Sequence, residues 1–288
     1  IAWLGLARVQ RLLGKSAEAK ETLTRARRLL PDEDPSAAAE SALLCLDNGD
    51  LEGATQHIDA ASIRGEGAIV SYVRGNIAAN QGHLKAAETH FDAAIETDPT
   101  HVRARLNRAS IHMASGNAQG ALDDANVLLE LAPGLALAKL RRAEANMMLS
   151  NWSDSKTDLE QIVADAPHHH HALTQLAACY ISMERPEKAE APLNEALRLA
   201  PEHTDAWHQR GLLYLDWGRE EAALNDFEAA VRCDGNHLDA RLHIAAIHHE
   251  AGRFIEASGA WKGVLAIEPE HAVARRRREE CDMALATM

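Results

Sequence analysis

The sequence has few aromatic residues and no long apolar segment. Only 4% of its 288 residues are aromatic, although 46% are hydrophobic. No apolar run reaches the roughly 18 residues that a membrane-spanning helix needs, so no such helix is predicted. Ala supplies much of the apolar content. Since Ala has the highest helix propensity and the smallest apolar side chain, the composition favours helices packed at close range.

Cysteine pairs and an excess of positive charge are also missing. The cysteines at positions 45, 179, 233 and 281 have no CxxC spacing, which excludes the common zinc and redox motifs. Free thiols favour a reducing cytoplasm. A periplasmic location stays open, because the sequence does not begin with Met and an upstream segment, which could have carried a targeting signal, is expected. The net charge of −13 argues against nucleic acid as a partner.

Nucleotide-binding and catalytic motifs are absent from the sequence. It contains no GxGxxG, no P-loop and no HExxH. Its many acidic residues follow the pattern of solvated helix faces. We therefore expect a chain that is not an enzyme and that needs no cofactor.

What the sequence does contain is a chain-breaking residue at intervals of 34. These residues are Pro31, Gly65, Pro99, Pro133, Pro167, Pro201, Gly235 and Pro269. A fixed period of this length predicts an array of stacked repeat units, in which each unit packs only on its neighbours.

Small residues recur in columns when the sequence is arranged in blocks of this length. The first column is Ala7, Ala42, Gly75, Ala109, Ala143, Ala177, Gly211 and Ala245. The second is Ala19, Ala54, Ala87, Ala121, Ser155, Ala189, Ala223 and Ala257. A Gly near the middle of most blocks separates two segments with helical periodicity. Each block therefore predicts two helices joined by a short turn.

The blocks resemble the tetratricopeptide repeat, whose signature is W-x2-L-G-x2-Y followed by Ala, Phe, Ala and Pro. The best match has Trp207, Gly211, Tyr214, Gly218, Ala223, Phe227 and Ala230, with Gly235 at the closing position. The resemblance covers nearly the whole chain. It implies an all-α α-solenoid, a right-handed superhelix of about eight repeats, with a groove that binds proteins or peptides.

The period also sets expected boundaries. The repeats are 1–33, 34–67, 68–101, 102–135, 136–169, 170–203, 204–237 and 238–271, followed by a capping helix at 272–288. Block one begins within a helix, so we expect a preceding repeat or cap. The second helix of block two is displaced by one residue and no proline closes it, which predicts an altered packing angle near Gly65. Pro192 inside a second helix predicts a kink between Ala189 and Pro192.

Polar residues occupy position six of the first helix from block four onwards. They are Asn107, Arg141, Gln175, Gln209 and His243, at a spacing of 34. Each can donate a hydrogen bond, and stacked repeats would align them along the groove. The arrangement resembles the asparagine ladder in the repeat domain of O-linked N-acetylglucosamine transferases, with Asn107 as the matching residue. The alternative interpretation is that a helix position facing the groove is polar by default, without any role in binding.

A second resemblance concerns tetratricopeptide repeats that clamp the C-terminal carboxylate of a peptide. Asn76, Asn107 and Arg141 occupy matching places, whereas Tyr72 and Leu137 stand where that clamp has lysines. Arg103, one repeat earlier than Leu137, partly compensates for this loss of positive charge. The resemblance implies a weaker site for an acidic or carboxylate-bearing peptide in blocks three to five.

The 16 histidines raise the question of a metal site. A run of four follows Pro167, and His208, His243 and His249 lie near several acidic residues. No fixed ligand spacing closes a tetrahedral cage, so we predict no metal site. Met147 belongs to a Met pair of which at least one member is expected to face the groove.

The most favoured function is a non-catalytic scaffold or adaptor that binds a protein or extended peptide in the groove. The alternative is the substrate-docking or regulatory region of a larger enzyme or secretion machine. The sequence leaves the oligomeric state open. The predicted binding residues are Tyr72, Asn76, Arg103, Asn107, Arg141, Met147, Gln175, His208, Gln209 and His243.

Overall fold

The computed structural model describes residues 2–31, 34–62 and 67–287. In these residues it contains seventeen α-helices and no strand, which confirms the all-α prediction. Gly65 and the altered angle predicted beside it lie outside the described residues. Within the described part of the chain, no helix is both long enough and apolar enough to cross a membrane.

The helices have ten to fifteen residues each. They are α1 (Ala2–Leu12), α2 (Ser16–Arg27), α3 (Pro35–Asp47), α4 (Leu51–Ser62), α5 (Ala68–Asn80), α6 (Leu84–Thr97), α7 (Val102–Ala114), α8 (Ala118–Leu131), α9 (Ala136–Met148), α10 (Trp152–Asp165), α11 (His170–Ser182), α12 (Glu190–Leu199), α13 (Thr204–Asp216), α14 (Glu220–Cys233), α15 (Leu238–Glu250), α16 (Phe254–Ile267) and α17 (Ala272–Ala286).

The chain forms two units, an N-terminal unit (Ile1–Ser150) and a C-terminal unit (Asn151–Met288). In each unit consecutive helices pack on one another across short connections, as antiparallel neighbours do. In the N-terminal unit the first helices of the repeats, α1, α3, α5, α7 and α9, also contact one another in succession. In the C-terminal unit α11 contacts α13, and α15 contacts α17. Each unit is thus a stack of helix pairs, the arrangement of an α-solenoid.

The two predicted columns of small residues are buried throughout. The alanines of both columns are at most 1% exposed, and Ser155 is fully buried. Gly is required where the opposing residue is Phe: a Cβ on Gly75 would lie 2.5 Å from Phe91, and one on Gly211 would lie 2.7 Å from Phe227. Helix spacing in this fold is therefore set by matched pairs of small and large side chains.

Four buried acidic residues, Glu40, Asp124, Asp158 and Asp226, contradict the expectation that acidic side chains lie on solvated helix faces. Asp124 on α8 and Asp226 on α14 are 1% and 4% exposed. Arg108 on α7 and Arg210 on α13 pair with them, at 2.6 Å and 2.7 Å respectively. The expectation was wrong here because burial is tolerated when a carboxylate accepts hydrogen bonds from a guanidinium that is itself half-buried.

The turn inside each repeat has one residue in the left-handed region of φ. Six of the eight positions, at a spacing of about 34, hold the glycines predicted from the sequence, with φ between 68° and 76°. The other two hold Ser150 (φ 62°) and Glu184 (φ 58°). Left-handed backbone strains a residue that has a Cβ, so these two positions depart from the local rule.

Histidines cap the first helices of several repeats. The Nδ1 atoms of His101, His169, His237 and His271 each accept a hydrogen bond from the backbone N–H three residues later. These positions are separated by multiples of 34. Part of the unusual histidine content therefore has a structural role, in which the neutral ring satisfies an orphan donor at the helix N-terminus.

The predicted break in the sixth block is present. A 3₁₀ helix at Pro186–Lys188 precedes α12, which begins only at Glu190, so the second helix of this repeat is interrupted at Ala189. Pro192 lies in the first turn of the shortened α12, where its missing N–H leaves no helical hydrogen bond unmade. At the other end, α17 packs on α16 with Ala274 and Cys281 buried.

Candidate peptide-binding pockets

A pocket of about 440 Å³ lies on the first helices of the N-terminal unit. It is lined by Arg11, Leu12, Leu43, Leu46, Asp47, Tyr72, Asn76, Asn80, Arg103, Leu106, Asn107, Ser110, Leu137 and Arg141. We call it the N-terminal pocket. Five of the predicted binding residues line this pocket, and so does Leu137, which stands where the carboxylate clamp has a lysine. Its volume is in the range typical of ligand sites.

The amides at the centre of the N-terminal pocket are hydrogen-bonded to each other. Asn107 Nδ2 on α7 donates to Asn76 Oδ1 on α5, at 2.6 Å. Asn76 is 8% exposed and Asn107 is half-buried. Tyr72 is buried, with its ring 4.9 Å from that of His101. This contact network fixes the polar groups on α5 and α7 before any ligand arrives.

Three arginines and one carboxylate give the N-terminal pocket its charge. Arg141 Nη1 lies 2.6 Å from Glu144 Oε2, and Arg11 Nη1 lies 2.8 Å from Asp47 Oδ2. Arg103 is half-buried, and its guanidinium makes no ion pair with any described residue. Burial lowers the pKa of His101, and the nearby Arg103 cation lowers it further. Arg103 is therefore the cation in this pocket whose charge is least compensated.

Sequence reasoning missed about half of the lining. Asn80 and Ser110 could have been identified from the sequence. Asn80 follows Asn76 by one helical turn, and Ser110 follows Asn76 by one 34-residue repeat. Arg11 and Leu12 come from α1, and no repeat position indicates that they reach the same pocket as Arg141. Their presence depends on how closely successive first helices approach.

The predicted residues outside this pocket have other surroundings. The rings of His208 and His243 lie 5.7 Å and 4.8 Å from that of Phe227 and 5.6 Å from each other. Burial, assisted by the neighbouring His237 and His243, lowers the pKa of His208 to about 4. Both rings therefore pack as neutral aromatic groups at ordinary pH. Gln175 Nε2 lies 3.0 Å from His171 Nε2, and Met147 is half-buried outside the N-terminal pocket.

A second pocket, of about 490 Å³, lies in the C-terminal unit. We call it the C-terminal pocket. It is lined by Ile181, Glu184, Pro186, Gln209, Leu212, Leu213 and Asp216. Gln209 is the predicted binding residue that it contains.

The histidines in the described part of the chain are not arranged as a set of metal ligands. Among the described residues, no group of three or more His, Cys, Asp or Glu side chains is arranged to hold a metal ion. The His170 and His203 rings instead meet edge to face, with centroids 4.9 Å apart. The contacts of these histidines are those of aromatic packing.

Comparison with known families gives one consistent result. Three family models, each described as tetratricopeptide repeat, match residues 2–32, 72–136, 140–207 and 176–249. Together these matches cover most of the chain. Among curated proteins, no sequence matches the chain.

Many solved structures have similar folds, and three examples are 16–21% identical to this chain. A tetratricopeptide repeat protein from Parabacteroides merdae is 18% identical over 85% of this chain and 97% of its own, with a TM-score of 0.59. A chain of the APC/C hetero-tetramer Cut9–Hcn1 is 16% identical over 97% of this chain and 55% of its own, with a TM-score of 0.73. A tetratricopeptide repeat protein from Thermus thermophilus is 21% identical over 63% of this chain and 99% of its own, with a TM-score of 0.52. At these identities the likeness concerns the fold.

Proposed function

The chain belongs to the tetratricopeptide repeat family, and we propose that it is a non-catalytic scaffold that holds an extended peptide in its N-terminal pocket. The observation that carries this proposal is the convergence of Tyr72, Asn76, Arg103, Asn107 and Arg141 on one pocket of about 440 Å³. These residues come from three successive first helices, α5, α7 and α9. A groove that runs across several helices suits an extended chain better than a compact ligand.

The polar groups match the chemistry of a peptide backbone. An extended peptide presents carbonyl oxygens at regular intervals, and amide and guanidinium groups donate hydrogen bonds to them. The hydrogen bond between Asn107 and Asn76 holds both amides in place. Such preorganisation lowers the entropy lost on binding and so favours affinity. Leu106 and Leu137 supply apolar contacts for the side chains of the peptide.

The charge of the pocket favours a peptide that carries a carboxylate. Arg11 and Arg141 are paired with Asp47 and Glu144, so Arg103 supplies the uncompensated positive charge of the lining. Guanidinium groups bind carboxylates in a bidentate manner, and such bonds are stronger than neutral hydrogen bonds. The half-buried Arg103, which has no ion-pair partner among the described residues, is the residue we assign to the carboxylate.

The remaining predicted residues enter the proposal as secondary contacts. Gln175 and Gln209 retain the donor chemistry of the ladder in the C-terminal unit, while Met147 offers an adaptable apolar surface. The rings of His208 and His243 pack on Phe227. This packing supports a role for both residues in stabilising the fold, in addition to any contact with a peptide.

The test compares fluorescein-labelled acidic peptides with a free C-terminal carboxylate, the same peptides amidated at the C-terminus, and scrambled basic peptides. Fluorescence anisotropy measures their affinity for the wild type, for Arg103→Gln and for Asn107→Ala/Arg141→Ala. We expect the acidic peptides to bind best and each variant to weaken them roughly tenfold, the value of one or two charge-assisted hydrogen bonds.

The matched control is Arg232→Gln, which removes an exposed arginine of the C-terminal unit that lines neither pocket. It should leave every affinity unchanged. Equal affinities of the wild type and of both pocket variants for all peptides would remove the N-terminal pocket from consideration. The same result would follow from a pull-down in which wild type and Asn107→Ala/Arg141→Ala recover every partner equally.

A further inference from the structure

The C-terminal pocket combines an apolar floor with acidic edges. Ile181 on α11 and Leu212 on α13 are both 36% exposed. Both line the pocket, together with Gln209. The pocket shares no lining residue with the N-terminal pocket, so what it binds does not depend on the function proposed above.

Glu184 stands at a position where the fold favours glycine. Its φ is 58°, and six of the eight equivalent turn positions hold Gly. A glutamate is strained in this conformation, and strain of this kind concentrates at functional sites. The side chain of Glu184 lines the C-terminal pocket. A carboxylate has thus been placed at the edge of the pocket against the local preference of the backbone.

Other departures from the repeat fall on the same pocket. Leu212 occupies a position that holds Ser110, Glu144, Ala178 and Ala246 in other repeats of the chain. Pro186 replaces the start of the second helix with a 3₁₀ helix and also lines the pocket. Residues that break a regular pattern at one place indicate a role beyond packing the solenoid.

The charge of the pocket has one sign. Glu184 and Asp216, both exposed, are the ionisable side chains among its described lining residues. The neighbouring Arg185 does not line the pocket. A ligand with a positive charge beside an apolar group complements this arrangement.

We propose that the C-terminal pocket docks an extended segment of a partner protein in which aliphatic side chains alternate with Arg or Lys at a spacing of two residues. In an extended chain, residues two apart point to the same side, so a Leu and an Arg can face the pocket together. The aliphatic group packs on Ile181 and Leu212. The cation reaches Glu184 and Asp216, and Gln209 donates to the backbone.

The probe is the fluorescein-labelled dodecapeptide (Ser-Leu-Ser-Arg)3. Two matched peptides replace every Arg with Glu or every Leu with Ser. Anisotropy titrations use the full chain at low and at physiological ionic strength. We expect the Leu/Arg peptide to bind at least roughly tenfold tighter than either matched peptide, and its affinity to fall with added salt because the ion pairs are exposed.

The variants use replacements that the chain itself tolerates. Glu184→Gly introduces the residue found at the equivalent turns, so it should fold at least as well as the wild type. Combined with Asp216→Asn, it should weaken the Leu/Arg peptide roughly tenfold, the sum of two exposed ion pairs. Ile181→Ser/Leu212→Ser should weaken it at least as much through lost apolar burial.

Two controls separate the pocket from general effects of charge and strain. Ser150→Gly relieves the same backbone strain outside the pocket, and Glu250→Gln removes the exposed carboxylate one repeat after Asp216. Neither should change the affinity. The proposal is overturned if the Glu peptide binds as tightly as the Arg peptide, or if Glu250→Gln weakens binding as much as Glu184→Gly/Asp216→Asn. It is also overturned if Glu184→Gly/Asp216→Asn and Ile181→Ser/Leu212→Ser both bind like the wild type.

Discussion

At the scale of single residues, two of the buried carboxylates, Asp124 and Asp226, pair with an arginine at the same distance in sequence. Arg108 and Asp124 are separated by 16 residues, as are Arg210 and Asp226. Block eight has neither member of the pair. Ile244 stands at the position of the arginine, and Ala260 stands at the position of the aspartate. In block eight both members are therefore replaced together, as expected if either member alone were costly to bury.

The first prediction follows from this pairing. Asp226→Ala leaves the Arg210 guanidinium half-buried without its carboxylate, and we expect the free energy of unfolding to fall by about 3–5 kcal/mol. Arg210→Ile/Asp226→Ala, which copies Ile244 and Ala260, should recover most of this loss. Urea denaturation of the wild type and both variants measures the difference. A double variant no more stable than Asp226→Ala would contradict the prediction.

The period of 34 made the backbone of the fold predictable but hid these pairs. Small residues such as Ala177 and Ala223 were identified as packing positions because their size recurs at constant spacing. Asp124 and Asp226 recur in the same way, yet acidic residues are so rarely buried that they were assigned to solvent. The decisive information was the second column of arginines 16 residues earlier, which becomes visible only when both columns are compared.

At the scale of helices, the same register explains what the histidines do and why they were hard to interpret. His101, His169, His237 and His271 cap helices through Nδ1. His208, on α13, is packed against Phe227 on α14 and His243 on α15. Composition alone suggested metal binding or surface polarity, because His is uncommon in either of the two roles the structure shows.

The second prediction concerns the pH dependence of this packing. Burial lowers the pKa of His208 to about 4, from 6.5. Between these values the unfolded chain binds a proton at this residue and the folded chain does not. The free energy of unfolding therefore falls as the pH drops below 6.5, and the loss is complete below about 4. Burial lowers the pKa of His203 and His243 as well, which adds to the effect.

His208→Leu tests this prediction. Leu is the residue at the equivalent position in three other repeats, namely Leu106, Leu140 and Leu242. Urea midpoints at about pH 7.5 and about pH 5 should differ less for the variant than for the wild type. His83→Gln, which changes an exposed histidine, should keep the pH dependence of the wild type. An unchanged slope in His208→Leu would show that other groups cause the acid sensitivity.

The turns between helices show which left-handed backbone positions could be predicted from residue type alone. Six turn positions were predicted from Gly, and the period points to Ser150 and Glu184 as the seventh and eighth. Neither was identified, because Ser and Glu give no local signal for a left-handed backbone. The C-terminal pocket escaped prediction for the same reason: Glu184 and Pro186 become meaningful only as departures from the repeat.

At the scale of the whole molecule, the two pockets have opposite charge preferences. The N-terminal pocket has three arginines and one carboxylate, whereas the C-terminal pocket has two carboxylates and an apolar floor. The net charge of −13 does not distinguish them, since it is an average over surfaces that differ locally. A scaffold with two such pockets is suited to hold two different segments, which extends the role of a single peptide binder.

The last prediction is that the two pockets act independently. They lie in separate units and share no lining residue, and effects at sites without shared contacts add. With the acidic peptide at saturation, the affinity for the Leu/Arg peptide should stay within about twofold of its value alone. Arg103→Gln should weaken only the acidic peptide, and Glu184→Gly/Asp216→Asn only the Leu/Arg peptide. Competition titrations with two fluorophores measure both affinities in one sample, and displacement of one peptide by the other would show instead that both occupy a common site.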